Sequence, residues 1–464
     1  MLKFDEKNNL LMQAKYHYSL QDVSEPNLYR EIYDYESVPK VAFNMRHVPM
    51  QMPDEIWMTD TTFRDGQQSV SPFTPEQILH LFKLMSRLGG PRGLVRQSEF
   101  FLYTDSDKKA LNLCRDAGLP FPEITTWIRA NEKDFELVKQ AGVAETGVLT
   151  SCSDYHIFKK MHLTRAQAMD KYLGIVKSAL EQGIRPRCHF EDITRADFYG
   201  FVVPFATALM ELSRESGIPI KIRACDTMGY GVNYPGSALP RSVQGIIYGL
   251  QHYSEVPSSL LEWHGHNDFY KVVSNASTAW LYGCSSINCS LLGIGERTGN
   301  CPLEAMAIEY QSLRGETGGM DLTAVTEIAE YMEREIGVEI SPRQPFVGRH
   351  FNVTRAGIHA DGMLKDEEIY NIFDTTKILN RPASVAVDSR GGTASIAHWI
   401  NTYFQLDGEN VIDKSDPLIV EMRKMVDELY ADGRNTVMGD MELEVMVRRC
   451  DKERYEHLLF HKSK

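Results

Sequence analysis

The sequence predicts an α/β protein: a (β/α)8 barrel over residues 54–318, preceded by an extension over 1–53 and followed by mainly helical subdomains over 319–464. Two observations carry this. From residue 54 onward, short runs rich in β-branched and aromatic residues alternate with stretches of period 3.6, the pattern of repeated βα units. The alternation passes through eight strand candidates and stops after Arg314-Gly315-Glu316-Thr317-Gly318-Gly319.

The extension is polar and aromatic without sustained periodicity, with Tyr16, Tyr18, Tyr29, Tyr33 and Tyr35 scattered along it, and reads as a segment that wraps another surface. The strand candidates follow as Ile56 to Thr61, Gly93 to Phe101, Glu123 to Ile128, Glu145 to Leu149, Arg185 to Phe190, Lys221 to Asp226, Leu261 to His266 and Ser286 to Ser290. Helices lie between them, such as Pro75 to Leu88, with Thr74 as N-cap, Pro75 at the first helical position and Ile78, Leu81, Phe82, Met85 and Leu88 on one face. Beyond the barrel an amphipathic stretch carries Leu322, Val325, Ile328, Met332 and Ile336. A loop-rich segment, Gly348 to Gly362, and helices over Leu418 to Tyr430 and Met441 to Arg449 complete the chain.

With 464 residues, 43% hydrophobic and 24% charged, the chain is long and apolar enough for a large core. A net charge of −13 and the lack of a long Lys/Arg run argue against nucleic acid as a partner. Met1 to Lys7 lack the apolar core of a secretion signal, and the apolar run around residues 200–210 is broken by Pro204, so a cytoplasmic protein that does not engage a membrane is expected. The 8 cysteines show no Cys-x-x-Cys pairing and read as reduced, buried thiols.

Chemistry gathers where strands should end. Asp60-Thr61-Thr62-Phe63-Arg64-Asp65-Gly66-Gln67-Gln68 follows the apolar run Ile56-Trp57-Met58, placing an arginine, carboxylates and amides at the end where barrels react. Downstream, His264 and His266 are two residues apart, so in an extended chain both imidazoles point to one side. Asp65, His264 and His266 therefore form a candidate metal site. In a closed barrel the eighth strand neighbours both the first and the seventh, and the loop Gly293-Ile294-Gly295-Glu296-Arg297-Thr298-Gly299-Asn300 after it supplies a further position.

These motifs, with Glu191-Asp192-x-x-Arg195 and Asp226-Thr227-x-Gly229, resemble those of the acyl-CoA-dependent Claisen-condensing enzymes, the isopropylmalate and homocitrate synthase-like family. The resemblance covers about residues 54 to 400. It implies a divalent ion held by Asp65, His264, His266 and Asn300, with Mn2+ first and Mg2+, Co2+ or Zn2+ as alternatives. Mixed oxygen and nitrogen ligation with open positions suits such ions and leaves room for a 2-oxo acid. Arg64 would stabilise the alkoxide. Glu191 and His359 would be the catalytic pair, with Tyr370 at the family's tyrosine position. Gln68, Arg129 and Thr227 are expected at the substrate, Thr227 on its carboxylate. In relatives the histidine segment crosses from a partner subunit, which implies a homodimer with exchanged C-terminal segments.

Departures from the isopropylmalate pattern fall in the expected pocket. Strand two reads Arg96-Gln97-Ser98-Glu99-Phe100-Phe101, and strand five reads Cys188-His189-Phe190-Glu191. Arg96 and His189 add polar or cationic character, which favours an oxo acid with a second carboxylate. With the tyrosine-rich extension and the lack of room for a full leucine-sensing domain, this looks most like the Re-type citrate synthases, which convert oxaloacetate and acetyl-CoA. Isopropylmalate, homocitrate and citramalate synthases are the alternatives. A non-catalytic scaffold is a remote one, because every ligand position is filled.

Overall fold

A computed structural model of the chain describes residues 3–5, 10–12 and 15–462. It contains a closed barrel of eight parallel strands: β1 (Trp57–Asp60), β2 (Val95–Phe100), β3 (Glu123–Ile128), β4 (Glu145–Ser151), β5 (Arg185–Glu191), β6 (Lys221–Asp226), β7 (Leu261–Gly265) and β8 (Ser286–Cys289). Closure comes from β8 pairing with β1, Ser286 opposite Trp57 through Cys289 opposite Asp60. The helices between and after the strands are α1 (Pro75–Gly89), α2 (Asp105–Asp116), α3 (Phe135–Gln140), α4 (Arg165–Glu181), α5 (Val203–Ser216), α6 (Val243–Ser254), α7 (Val272–Leu281) and α8 (Leu303–Arg314). The predicted (β/α)8 barrel is thus the observed fold.

Local chemistry sets the elements. In α1 the Thr74 side chain accepts from Gln77 N while Gln77 reaches back to Thr74 N, a reciprocal cap of about 1 kcal/mol. Ile78, Leu81, Phe82, Met85 and Leu88 are all buried. The helix stops at Gly90, whose φ of 64° suits glycine, and a Cβ there would lie 2.1 Å from the Gly319 carbonyl oxygen.

The strands divide polar from apolar by their pleat. Phe190, Ile222 and Val148 are buried in the layer between strands and helices, Phe190 stacking on Phe205 of α5 with ring centroids 5.0 Å apart. The alternate positions, Gln97 and Glu99, Arg187 and His189, Arg223 and Glu262, meet one another inside the barrel through hydrogen bonds and ion pairs, several by way of Glu145 or Glu99. Such an interior is tolerated only because each charge has partners; removing one partner of a buried pair leaves the other uncompensated.

The chain divides into two compact units, one comprising Met1–Ala324 with Tyr331–Val338 and the other Val325–Glu330 with Glu339–Lys464. The extension belongs to the first. Its short strands Lys3–Asp5 and Leu10–Met12 pair antiparallel; the rest of its first fourteen residues lies outside those described. Residues 15–53 run along the barrel's own loops: Tyr18 stacks on Tyr199, Tyr33 donates to the Thr194 carbonyl at 2.6 Å, and Arg46 donates to the hydroxyls of Tyr199 and Tyr253. The surface that the extension wraps is that of its own barrel.

After the barrel come α9 (Ala324–Tyr331), α10 (Gly357–Lys365), α11 (Thr375–Leu379), α12 (Gly392–Tyr403), α13 (Pro417–Ala431), α14 (Asp440–Cys450) and α15 (Lys452–Lys462). The second unit has its own core, with Ile396, Ile400 and Phe404 packed among Ile419, Met422, Val426, Leu443 and Val447. The cysteines are free, and all but Cys450 are buried. No helix among the described residues is long and apolar enough to cross a membrane.

Candidate active site

Asp65, His264 and His266 converge at the C-terminal end of the barrel. Asp65 follows β1, His264 lies on β7 and His266 just after it. His264 Nε2 and His266 Nε2 are 3.2 Å apart, and they lie 4.0 and 3.9 Å from Asp65 Oδ2. Donors about 2.1 Å from one octahedral ion stand about 3.0 Å apart when cis and about 4.2 Å when trans. The three separations fall in that range.

The protonation states suit the same purpose. Burial raises the Asp65 carboxyl, but Arg64 and both imidazoles outweigh it and hold the group at about 2. Burial and the facing His266 ring push His264 down to about 3, and burial lowers His266. His264 Nδ1 is 2.8 Å from Asn288 Oδ1, whose own amide donates to Thr59, so the Nδ1 proton has an acceptor and the Nε2 lone pair faces the cluster. Asn300 donates to Asp65 Oδ2 at 2.8 Å, while its Oδ1 is buried with no donor among the described residues. An orphaned acceptor beside an ionised carboxylate and two neutral imidazoles fits a divalent cation.

The glycine-rich loop seats Asn300. Asn300 N donates to Gly293 O at 2.8 Å, and a Cβ on Gly299 would lie 2.1 Å from that same carbonyl oxygen. A Cβ on Gly295 would come 2.6 Å from Asn300 Nδ2. Arg297 closes the loop over Asp268, donating to Oδ1 at 2.9 Å.

Arg64 is buried against the cluster. Its Nη1 donates to Asp65 Oδ1 at 3.0 Å, its Nε donates to Glu99 Oε2 at 2.7 Å, and its guanidinium lies 5.5 Å from the Trp127 ring centroid. Glu191 ends β5. It accepts from Ser151, and one oxygen lies 3.2 Å from His156 Nδ1 and 3.9 Å from Lys160 Nζ. Burial raises the Glu191 carboxyl, but His156, Ser151 and Lys160 together bring it below its ordinary value. Thr227 Oγ1 accepts from Asp192 N at 2.8 Å, which ties the end of β6 to that of β5. His189 points inward, its Nε2 3.6 Å from Glu99 and 3.4 Å from Arg187 Nε.

Other expected residues lie elsewhere. Arg96 is the second residue of β2, at the N-terminal end of the barrel, where it lies over the Trp57 and Phe121 rings and donates to Gly93 O. Gln97 and Glu99 point inward, whereas these contacts hold Arg96 at the N-terminal end of the barrel, opposite the strand ends that carry Asp65, His264 and His266, so it is not a pocket residue. Arg129 is on the rim, its side chain 66% exposed, over Tyr103 and 3.5 Å from Asp134. Gln68 is exposed on the short turn after Asp65. His359 and Tyr370 belong to the second unit, where their rings stand 4.3 Å apart at its surface. Sequence reasoning missed Asn288, Ser151, His156 and the interior arginines. The signal was present in the period-two runs Arg187-x-His189-x-Glu191 and Glu262-x-His264.

The HMGL-like family model matches residues 55–332. The chain is 57% identical over 443 residues to a protein of Clostridium kluyveri named citrate (Re)-synthase, covering 96% of this chain and 98% of that one. It is 56% identical over 432 residues to one of the same name from Syntrophus aciditrophicus, covering 93% and 69%. A 2-phosphinomethylmalate synthase of Streptomyces hygroscopicus is 37% identical over 443 residues, covering 93% and 98%. The chain belongs to the HMGL-like family, in the branch of proteins named citrate (Re)-synthase.

Proposed function

We propose that the protein condenses acetyl-CoA with oxaloacetate and water to give citrate and CoA. The observation that carries this reading is the cluster of Asp65, His264 and His266 with the orphaned Oδ1 of Asn300 beside it. A divalent ion held there supplies Lewis acidity toward the carbonyl of the oxo acid. The remaining steps fall to the chain. Arg64 brings a fixed positive charge next to Asp65, where the carbonyl oxygen gains negative charge as the new carbon–carbon bond forms. Glu191, kept ionised by His156, Ser151 and Lys160, is the base for the weakly acidic methyl proton of the thioester, with His359 and Tyr370 serving proton transfer. Thr227 and His189 complete the substrate contacts at the ends of β6 and β5.

In this reading the protein works in the cytoplasm as a homodimer, His359 and Tyr370 of one copy serving the site of the other. The test is turnover of acetyl-CoA with oxaloacetate and a panel of other 2-oxo acids, following CoA release and identifying the product. Chirally labelled substrate reports the face attacked. Absence of citrate, or labelling that reports the opposite face, would sink the assignment.

A further inference from the structure

Arg96 is held at the N-terminal end of the barrel and Arg129 on its exposed rim, which leaves the second carboxylate of a dicarboxylic oxo acid without the cation expected for it. The barrel interior contains another. Arg223 on β6 is fully buried, its Nε donating to Glu262 Oε2 at 2.5 Å and its Nη1 lying 3.2 Å from both oxygens of Glu99. Its Nη2 has no acceptor among the described residues. A buried cation with an unmet donor is uncommon, because desolvation is costly and goes uncompensated.

The position suits a substrate. In the strand register Arg223 is opposite Glu262 and Cys225 is opposite His264, so Arg223 lies one inward-facing step, about 7 Å, deeper in the barrel than the metal ligands. His189, its neighbour in register, keeps its place because Gly147 has no side chain; a Cβ at 147 would lie 2.6 Å from His189 Nε2.

The charge balance selects the ligand. Arg64, Arg187, Lys221 and Arg223 are in contact with Asp65, Glu99, Glu145 and Glu262, a buried network of equal opposite charges. A divalent cation adds two positive charges to it. An oxo acid with one carboxylate leaves one of these unmatched, whereas a dicarboxylate leaves none, and unmatched buried charge is strongly disfavoured.

We infer that Arg223 is the specificity-determining residue of the site, receiving the second carboxylate of the oxo acid through Nη2. The inference rests on the proposed condensation but is tested apart from it, by calorimetric titration of the metal-loaded protein with malate and lactate, which differ by that carboxylate. Wild-type protein is expected to bind malate about 100-fold or more tighter than lactate. Arg223→Gln reduces the preference to less than tenfold, and Arg223→Lys restores part of it. Should Arg223→Gln fail to fold by circular dichroism, Arg223→Gln/Glu262→Gln keeps the network balanced and gives the same readout. A folded variant that retains the wild-type preference, or a wild-type protein that binds both acids alike, overturns the inference. Failure to form citrate while the preference depends on Arg223 would instead count against the condensation alone.

Discussion

Glu99 Oε2 accepts the Nε–H of Arg64 at 2.7 Å, and the same carboxylate receives Arg187 and Arg223, so one buried anion on β2 holds three guanidinium groups. Burial raises this carboxyl, yet the three cations hold it well below the usual range. Glu99→Gln leaves them sharing one fewer anion and is expected to cost about 3–5 kcal/mol of stability, read from chemical denaturation. Loss of Arg64's restraint should also lower kcat. A variant as stable as wild type would mean that the other carboxylates suffice.

Asp65→Ala and His264→Ala are expected to abolish turnover while leaving circular dichroism largely unchanged, because losing a ligand from an open site removes the Lewis acid rather than core packing. Metal analysis of the purified variants checks the cause. Chelation of the wild-type protein should reproduce the loss, and added Mn2+ should reverse it. Full activity in metal-free Asp65→Ala would refute the ligand assignment.

Glu191→Gln and His359→Ala should each lower kcat by about 10²- to 10⁴-fold with a modest effect on KM, as when proton transfer rather than binding is lost. If His359 serves a partner's site, mixing the two inactive variants under conditions that form heterodimers restores activity at one site per dimer. No recovery in demonstrated heterodimers would place His359 in its own chain's chemistry or outside it.

Glu304, in the first turn of α8, accepts Leu292 N at 3.1 Å and is pushed by burial from its ordinary value of 4.5 up to about 7. A carboxyl with a raised pKa holds its proton more tightly when folded. Its contribution to stability is therefore full at low pH and declines as pH rises between about 4.5 and about 7. Glu304→Gln stays neutral and keeps the acceptor, so it should be more stable than wild type at pH 8 by on the order of 2–3 kcal/mol. The advantage should vanish near pH 4. A pH-independent difference between the two proteins would show that Glu304 does not titrate in this window.

Oxaloacetate should be preferred over 2-oxoisovalerate by about 10⁴-fold in kcat/KM, since a site built around a polar partner rejects analogues lacking it far more strongly than an apolar pocket does. Replacing Arg129 by Met should leave this ratio nearly unchanged, because Arg129 is an exposed rim residue held by Asp134 and Tyr103. Comparable values for both oxo acids in the wild-type protein would name a different synthase.

The sequence by itself determined the barrel and singled out Asp65, His264 and His266 as candidate metal ligands. Both follow from local pattern: period two against period 3.6 gives the strands and helices, and His264-x-His266 and Arg64-Asp65 mark strand ends whatever lies around them. Tertiary structure decided which residue of a polar strand faces the site. Arg96 and Glu99 stand three apart on one strand, and only the register and direction of the closed barrel send Glu99 to the interior at the catalytic end and leave Arg96 at the opposite end, over Trp57 and Phe121. A shift of one residue would exchange the two faces. Closure likewise brought Asn300 to Asp65 across 235 residues, Asn288 to His264, and Arg223 to Glu99. Those pairings depend on barrel stagger, a property of all eight strands together that no single segment of the sequence encodes.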